Sequence, residues 1–207
     1  GRRAVLGYLH PRPSASDAGL ASLVEYAEVL THVAPCWLTV EDARGTLSAI
    51  VDANLVAFCQ QRGLRVVPRL AQKDFSRALV HRFLRDAGAR ARLIAQLVTW
   101  LPANGCHGVN LDFEYVPRED RAHLSKFTGE LSAALRMRGL LLTMAVPAKT
   151  RENLRSDWSG AFDYAALGRA LLDAHARTGE PRYLARAEAV ATTLLAHFCD
   201  RRSGALL

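Results

Sequence analysis

The stretch Gly108-Val109-Asn110-Leu111-Asp112-Phe113-Glu114-Tyr115 constrains this chain most. Its residues alternate in character. Val109, Leu111, Phe113 and Tyr115 fall on one face of an extended strand, and Asn110, Asp112 and Glu114 fall on the other. The flanking segments make it a central strand of an α/β pattern, covered on both faces. A strand that turns an amide and two carboxylates into a covered interior needs a reason, because an unpaired buried charge is costly. Such groups are networked or functional. Residues two apart on a strand are roughly 6.6 Å apart along its axis, so the two carboxyls can approach each other. Paired carboxyls tend to hold one proton between them, and a protonated carboxyl beside an ionised one is the equipment of a general acid. Glycoside hydrolysis is the commonest chemistry for such a pair. The alternative is a buried Asp/Glu pair that only bonds nearby backbone or Arg.

The rest of the chain alternates strand and helix. Strands are expected over 4–9, 33–40, 64–70, 108–115 and 140–146. Helices are expected over 18–30, 47–62, 76–85, 90–101 and 117–137. Ser16 or Asp17 is placed to cap the first helix, Gly63 and Gly139 to stop two others, and Pro117 to open the last. About five strands separated by helices imply parallel pairing with right-handed crossovers. A doubly wound sheet and a (β/α) barrel both fit. Carboxylates at the C-terminal end of the fourth strand favour the barrel, whose active sites lie at that rim.

Composition narrows the partners. Half of the 207 residues are hydrophobic and the formal net charge is +7. The charge suits an anionic partner such as a bacterial cell wall, although a chain-wide bias towards Arg explains it as well. No basic run carries interleaved aromatics, so no nucleic-acid partner is expected. No stretch approaches the ~20 apolar residues of a membrane helix, and no signal-peptide core is visible. Cys36, Cys59, Cys106 and Cys199 form no Cys-x-x-Cys pair and read as buried free thiols. No metal site is expected from them, because adjacent Cys106 and His107 are not spaced to converge on one ion.

The segment His107-Gly108-Val109-Asn110-Leu111-Asp112-Phe113-Glu114 resembles the fourth-strand signature of glycoside hydrolase family 18, Asp-Gly-apolar-Asp-apolar-Asp-apolar-Glu. That family holds chitinases and spore-cortex and cell-wall glycosidases. Asp112 matches the last Asp and Glu114 the terminal Glu. Asn110 stands where the family has Asp or Asn, and His107 where it usually has Asp. Tyr115-Val116-Pro117-Arg118-Glu119-Asp120-Arg121 and Ala145-Val146-Pro147-Ala148-Lys149-Thr150 are similar to the spore-germination and peptidoglycan-directed branch. The resemblance covers residues 4–168. It implies a TIM-type barrel and hydrolysis of polysaccharides with N-acetylated sugars, without cofactor or metal, in the cell envelope or outside the cell. It also implies that Glu114 is the general acid, that Asp112 orients the substrate's acetamido group, and that Asn110 hydrogen-bonds Asp112. Tyr8, at the rim end of strand one, and Trp37, on strand two, are candidate sugar contacts, though each also fits a core role. Met144 is expected beneath the site, and Arg69 either pairs with Asp112 or sits at the rim.

After Pro147 the pattern changes. Residues 157–168 still resemble the family, with Asp163-Tyr164-Ala165-Ala166-Leu167-Gly168 in the helix after strand five, but no further strand succeeds it. Residues 169–207 read as a helical hairpin. The segments Ala170-Leu171-Leu172-Asp173-Ala174-His175 and Thr178-Gly179-Glu180-Pro181-Arg182-Tyr183-Leu184 are similar to one hairpin of the (α/α) six-hairpin toroid proteins, and an ordinary hairpin fits equally. The expected organisation is therefore an incomplete barrel over 1–168 and a hairpin over 169–207. A full eight-stranded barrel takes about 250 residues. Strands six to eight, which in the family carry a Tyr, an Asp and a Trp of the sugar site, have no counterpart. Three readings fit this pattern: a glycosidase impaired by truncation, a sugar-binding remnant without turnover, or a recombined fragment without function.

Overall fold

The first parallel neighbours are set by short apolar runs. The computed structural model describes residues 4–10, 18–147, 155–156, 159–163 and 166. It holds β1 (Leu6–Leu9), α1 (Ala18–Tyr26), β2 (His32–Pro35), β3 (Leu38–Val40), β4 (Leu47–Ala49), α2 (Ala53–Gln61), β5 (Arg65–Val66), β6 (Arg69–Gln72), α3 (Arg77–Arg85), α4 (Ala87–Ala103), β7 (Gly108–Leu111), α5 (Arg121–Arg136) and β8 (Leu141–Met144). These residues divide into two compact units. One runs to Glu114 and resumes over Glu130–Ala145; the other comprises Tyr115–Gly129 and the described residues after Ala145. No helix among the described residues is long and apolar enough to cross a membrane.

All strands of the first unit lie in two sheets, ordered β1-β2-β5 and β4-β3-β6-β7-β8. Every pairing is parallel except β3 with β4. The expected second strand, 33–40, divides into β2 and β3, and the expected third, 64–70, divides into β5 and β6. A proline stands at each break. Trp37 N–H bonds back to Pro35 O at 2.9 Å, which kinks the chain, and Pro68 has no N–H to give the ladder. Each half then pairs in a different sheet. Joined across these kinks, the strands follow one another in chain order with no reversal. A doubly wound sheet requires a reversal, so this is a sector of a (β/α) barrel with five parallel strands.

The expected helix over 47–62 is corrected. Leu47–Ala49 is a strand that folds back antiparallel on β3. Asp42 builds the turn: Oδ1 accepts from Arg44 N–H at 2.9 Å and Thr46 N–H at 3.2 Å. Gly45 completes it at φ +79, where a Cβ would lie 2.2 Å from Ala89 O. The helix waits until Ala53, because Asp52 caps it by accepting from Asn54 and Leu55 N–H. In the same way Ser76 caps α3 and Asp86 caps α4. The cap expected at Ser16 or Asp17 lies outside the described residues.

The apolar face of the signature strand is core. Val109 and Leu111 are fully buried and Phe113 nearly so. Phe113 meets Phe83 of α3 edge to face at 5.9 Å, a preferred aromatic geometry. Leu93, Leu97 and Leu101 of α4 are also fully buried. The alternation ends early: β7 stops at Leu111, and Tyr115, expected on the core face, is exposed at φ +52. Gly108 opens β7 where a Cβ would lie 2.2 Å from Leu141 O of β8.

In the second unit, Pro117 precedes a 3-10 turn over Arg118–Asp120, and α5 begins directly after it, its residues from Glu130 on belonging to the first unit. Arg121 donates to Gly160 O at 3.1 Å and Phe162 O at 2.9 Å and faces Asp163 Oδ1 at 3.3 Å. Asp163 Oδ1 also accepts from Ala166 N–H at 2.9 Å, the bond an N-cap makes. The hairpin expected over 169–207, the boundary at 168 and Cys199 lie outside the described residues. Cys59 and Cys106 are buried free thiols, pushed up by burial to about 11 and about 12.

His107, in the place of a family carboxylate, is structural. Its Nδ1 accepts from Val66 N–H at 3.1 Å, and the backbone N–H of His107 donates to Val66 O at 2.7 Å. Burial, helped by Arg65, pulls the imidazole below its ordinary 6.5. The unfolded chain then takes up a proton more readily than the folded one. This stability is fully present above the unfolded value and is lost as pH falls through it. Denaturant unfolding should show lower stability at about pH 5 than at about pH 7, and His107→Gln should flatten that slope.

Candidate active site

Parallel register puts the site's side chains on one face of the sheet. Asn110 lies opposite Arg69 of β6 and Thr143 of β8. Asn110 is 3% exposed, so its amide needs partners. Its Oδ1 accepts from Tyr8 O–H of β1 at 2.9 Å, and its Nδ2 donates to Thr143 Oγ1 at 2.8 Å. The expected bond from Asn110 to Asp112 is therefore not made. The amide instead ties together strands one, four and five of the barrel sector.

Asp112 lies one residue past β7, where its N–H still reaches Leu70 O at 2.9 Å. Its Oδ2 accepts from Arg69 Nε, and its Oδ1 takes no hydrogen bond among the described residues. Arg69 Nη2 also lies 3.9 Å from Glu114 Oε1. The Arg69 and Asp112 side chains are 12% and 15% exposed, and that of Glu114 is 33% exposed. One guanidinium thus serves two carboxylates. It also lies over the Phe75 ring at 5.2 Å, a favourable cation–π distance. The Arg69 guanidinium is held above its ordinary range: burial opposes the charge, but Asp112 and Cys36 outweigh it.

The other expected site residues separate. Tyr8 is half-exposed and joins the cluster through Asn110. Trp37 is 4% exposed, so it is core and offers a sugar no face. Met144 is in register with Leu111, on the face opposite Asn110, and not beneath the site as expected. Three residues were missed. Thr143 was findable as the one polar residue of an apolar strand. Gln72 sits at the end of β6, and its side chain holds the backbone of Glu114. Cys36 was read only as a core thiol, yet it is half-buried beside Arg69, with Sγ 3.7 Å from His10 Nε2. Burial pushes the Cys36 thiol up against the opposing pull of Arg69. Among the described residues no group of three or more His, Cys, Asp or Glu is placed to hold a metal ion.

A sector of (β/α) barrel with acids at the C-terminal strand ends defines the class of fold, a barrel whose sites lie at that rim. The chain belongs to the glycosyl hydrolases family 18, whose family model matches residues 26–174. It is 33% identical over 128 residues to the uncharacterized glycosylase YvbX of Bacillus subtilis, covering 58% of this chain and 37% of that one. Among solved structures, it resembles a chitinase from Chromobacterium violaceum at TM-score 0.68 and 25% identity, over 81% of this chain and 53% of the other. It also shares the fold of the Bacillus megaterium spore cortex-lytic enzyme SleL at TM-score 0.72 and 22% identity, over 80% and 39%. The chain thus spans about half the length, or less, of each of these proteins.

Burial and then Asp112 push the Tyr8 phenol above its ordinary 10.0. Ultraviolet titration of wild type minus Tyr8→Phe should show that phenol ionising late, and Asp112→Asn should bring its ionisation to lower pH.

Proposed function

We propose that this chain hydrolyses glycosidic bonds in a polysaccharide of N-acetylated sugars, chitin-like or peptidoglycan, with retention and with assistance from the substrate's own acetamido group. The observation that carries the reading is the placement of Glu114 and Asp112 at the rim end of one barrel strand, both facing Arg69. Glu114, the more exposed of the two, protonates the leaving glycosidic oxygen. The acetamido carbonyl oxygen attacks the anomeric carbon as that bond breaks, forming a cyclic cation. This route is a recognised exception to the two-carboxylate scheme. Asp112 accepts the acetamido N–H through Oδ1, the oxygen Arg69 leaves open, and its charge stabilises the cation. Glu114 then takes a proton from the water that opens the ring.

The names of the relatives, a chitinase and a spore cortex-lytic enzyme, support the substrate class. One observation favours a second reading, a sugar-binding cleft without turnover. Arg69 binds Asp112 through Oδ2 and lies 3.9 Å from Glu114 Oε1, so a substrate competes with it for both acids.

Release of sugars from N-acetylglucosamine oligomers separates the two. Wild type should turn over, and Glu114→Gln should lose about 10²–10⁴ in kcat, the usual worth of a general acid. Equal rates would remove Glu114 from the mechanism. Wild-type binding without release would establish the second reading.

A further inference from the structure

We propose that Gln72 is a positioning residue for Glu114, its carboxamide standing in for an absent strand neighbour. The proposal rests on the reading of Glu114 as general acid. β7 ends at Leu111, and the last ladder bond of the strand is Asp112 N–H to Leu70 O at 2.9 Å. Glu114 lies beyond that bond, where its backbone N–H and C=O still need partners. The strand beside it, β6, ends at Gln72. Gln72 Nε2 donates to Glu114 O at 2.5 Å, and Glu114 N–H donates to Gln72 Oε1 at 3.3 Å. One side-chain amide thus satisfies both polar groups of one residue, as a paired strand would.

The orientation of the carboxamide is dictated by its partners. A flipped amide would set donor against donor and acceptor against acceptor. The anchor is firm: Gln72 is 2% exposed, and its backbone is in register with Val40 of β3. Tyr115 has φ +52, in the left-handed region, so the strand direction is lost at once. Glu114 is therefore fixed at the point where the sheet ends, and Gln72 does the fixing. Other side chains fail for definite reasons. Asn is one methylene shorter, Glu sets an oxygen against Glu114 O, and Met fills the volume without either bond.

A general acid acts only within hydrogen-bond reach of the leaving oxygen, so freeing its backbone should lower turnover and leave binding alone. The test is steady-state hydrolysis of N-acetylglucosamine oligomers by the 207-residue chain and its Gln72→Met variant, with hydrogen exchange resolved at the Glu114 amide. Gln72→Asn takes its place if Gln72→Met does not fold. The expected result is a fall in kcat of about ten-fold or more with KM within about two-fold. Exchange at the Glu114 amide should quicken by about ten-fold or more. Unchanged kcat in a folded variant, a rise in KM alone, or an amide as protected as in wild type would overturn the proposal. If wild type itself shows no turnover, the glycosidase reading fails, and exchange at Glu114 alone decides for or against Gln72.

Discussion

Two carboxylates at the end of one strand repel each other, and Arg69 on the adjacent strand is what lets both sit there. Its Nε bonds Asp112 and its Nη2 lies 3.9 Å from Glu114. This requires β6 and β7 to be parallel and in the register that sets Arg69 opposite Asn110. A shift of one residue would turn Arg69, Asn110 and Asp112 to the helix side and Leu70 and Leu111 to the acid side. The buried apolar residues on the other face forbid that shift. Core packing therefore sets the register, the register sets the charge pairing, and the pairing keeps the acids inside the rim.

A second layer of polar contacts holds the sector together beneath the acids. Asn110 bonds Tyr8 of β1 and Thr143 of β8 at once. Where the family has Asp or Asn, an amide suits this chain, because Tyr8 needs an acceptor and Thr143 receives a donor. The neutral group also adds no further negative charge beside Asp112. Arg69 and Asn110 thus divide the work: the guanidinium balances the two acids, and the amide joins three strands.

The α/β class, the central strand and its two faces were legible in the sequence because alternation reports burial directly. Helix ends at Gly63 and Gly139 were legible because both take the positive φ that glycine favours. The kinks at Pro35 and Pro68 were not, since a continuous apolar run conceals a change of sheet partner. Asp52 carried the signal of a cap inside the segment 47–62, which reads as one helix. At the site, Asp112, Glu114 and Arg69 were visible as a charge problem on a covered strand. Gln72 and Cys36 were not, because their roles depend on register between strands far apart in the chain. Met144 was misplaced for the same reason, and of the two roles open to Trp37 burial selects the core one: residue type marks a candidate, and only pairing says which face it takes.

The placement of both acids depends on Arg69 and Asp112 being coupled in solution. A double-mutant cycle with Arg69→Met and Asp112→Asn, read by denaturant unfolding, measures that coupling directly. The predicted result is an interaction of about 1 kcal/mol or more, with the double variant more stable than the single effects sum to. Additivity within about 0.3 kcal/mol would contradict it, and with it the claim that Arg69 holds the acids at the strand end.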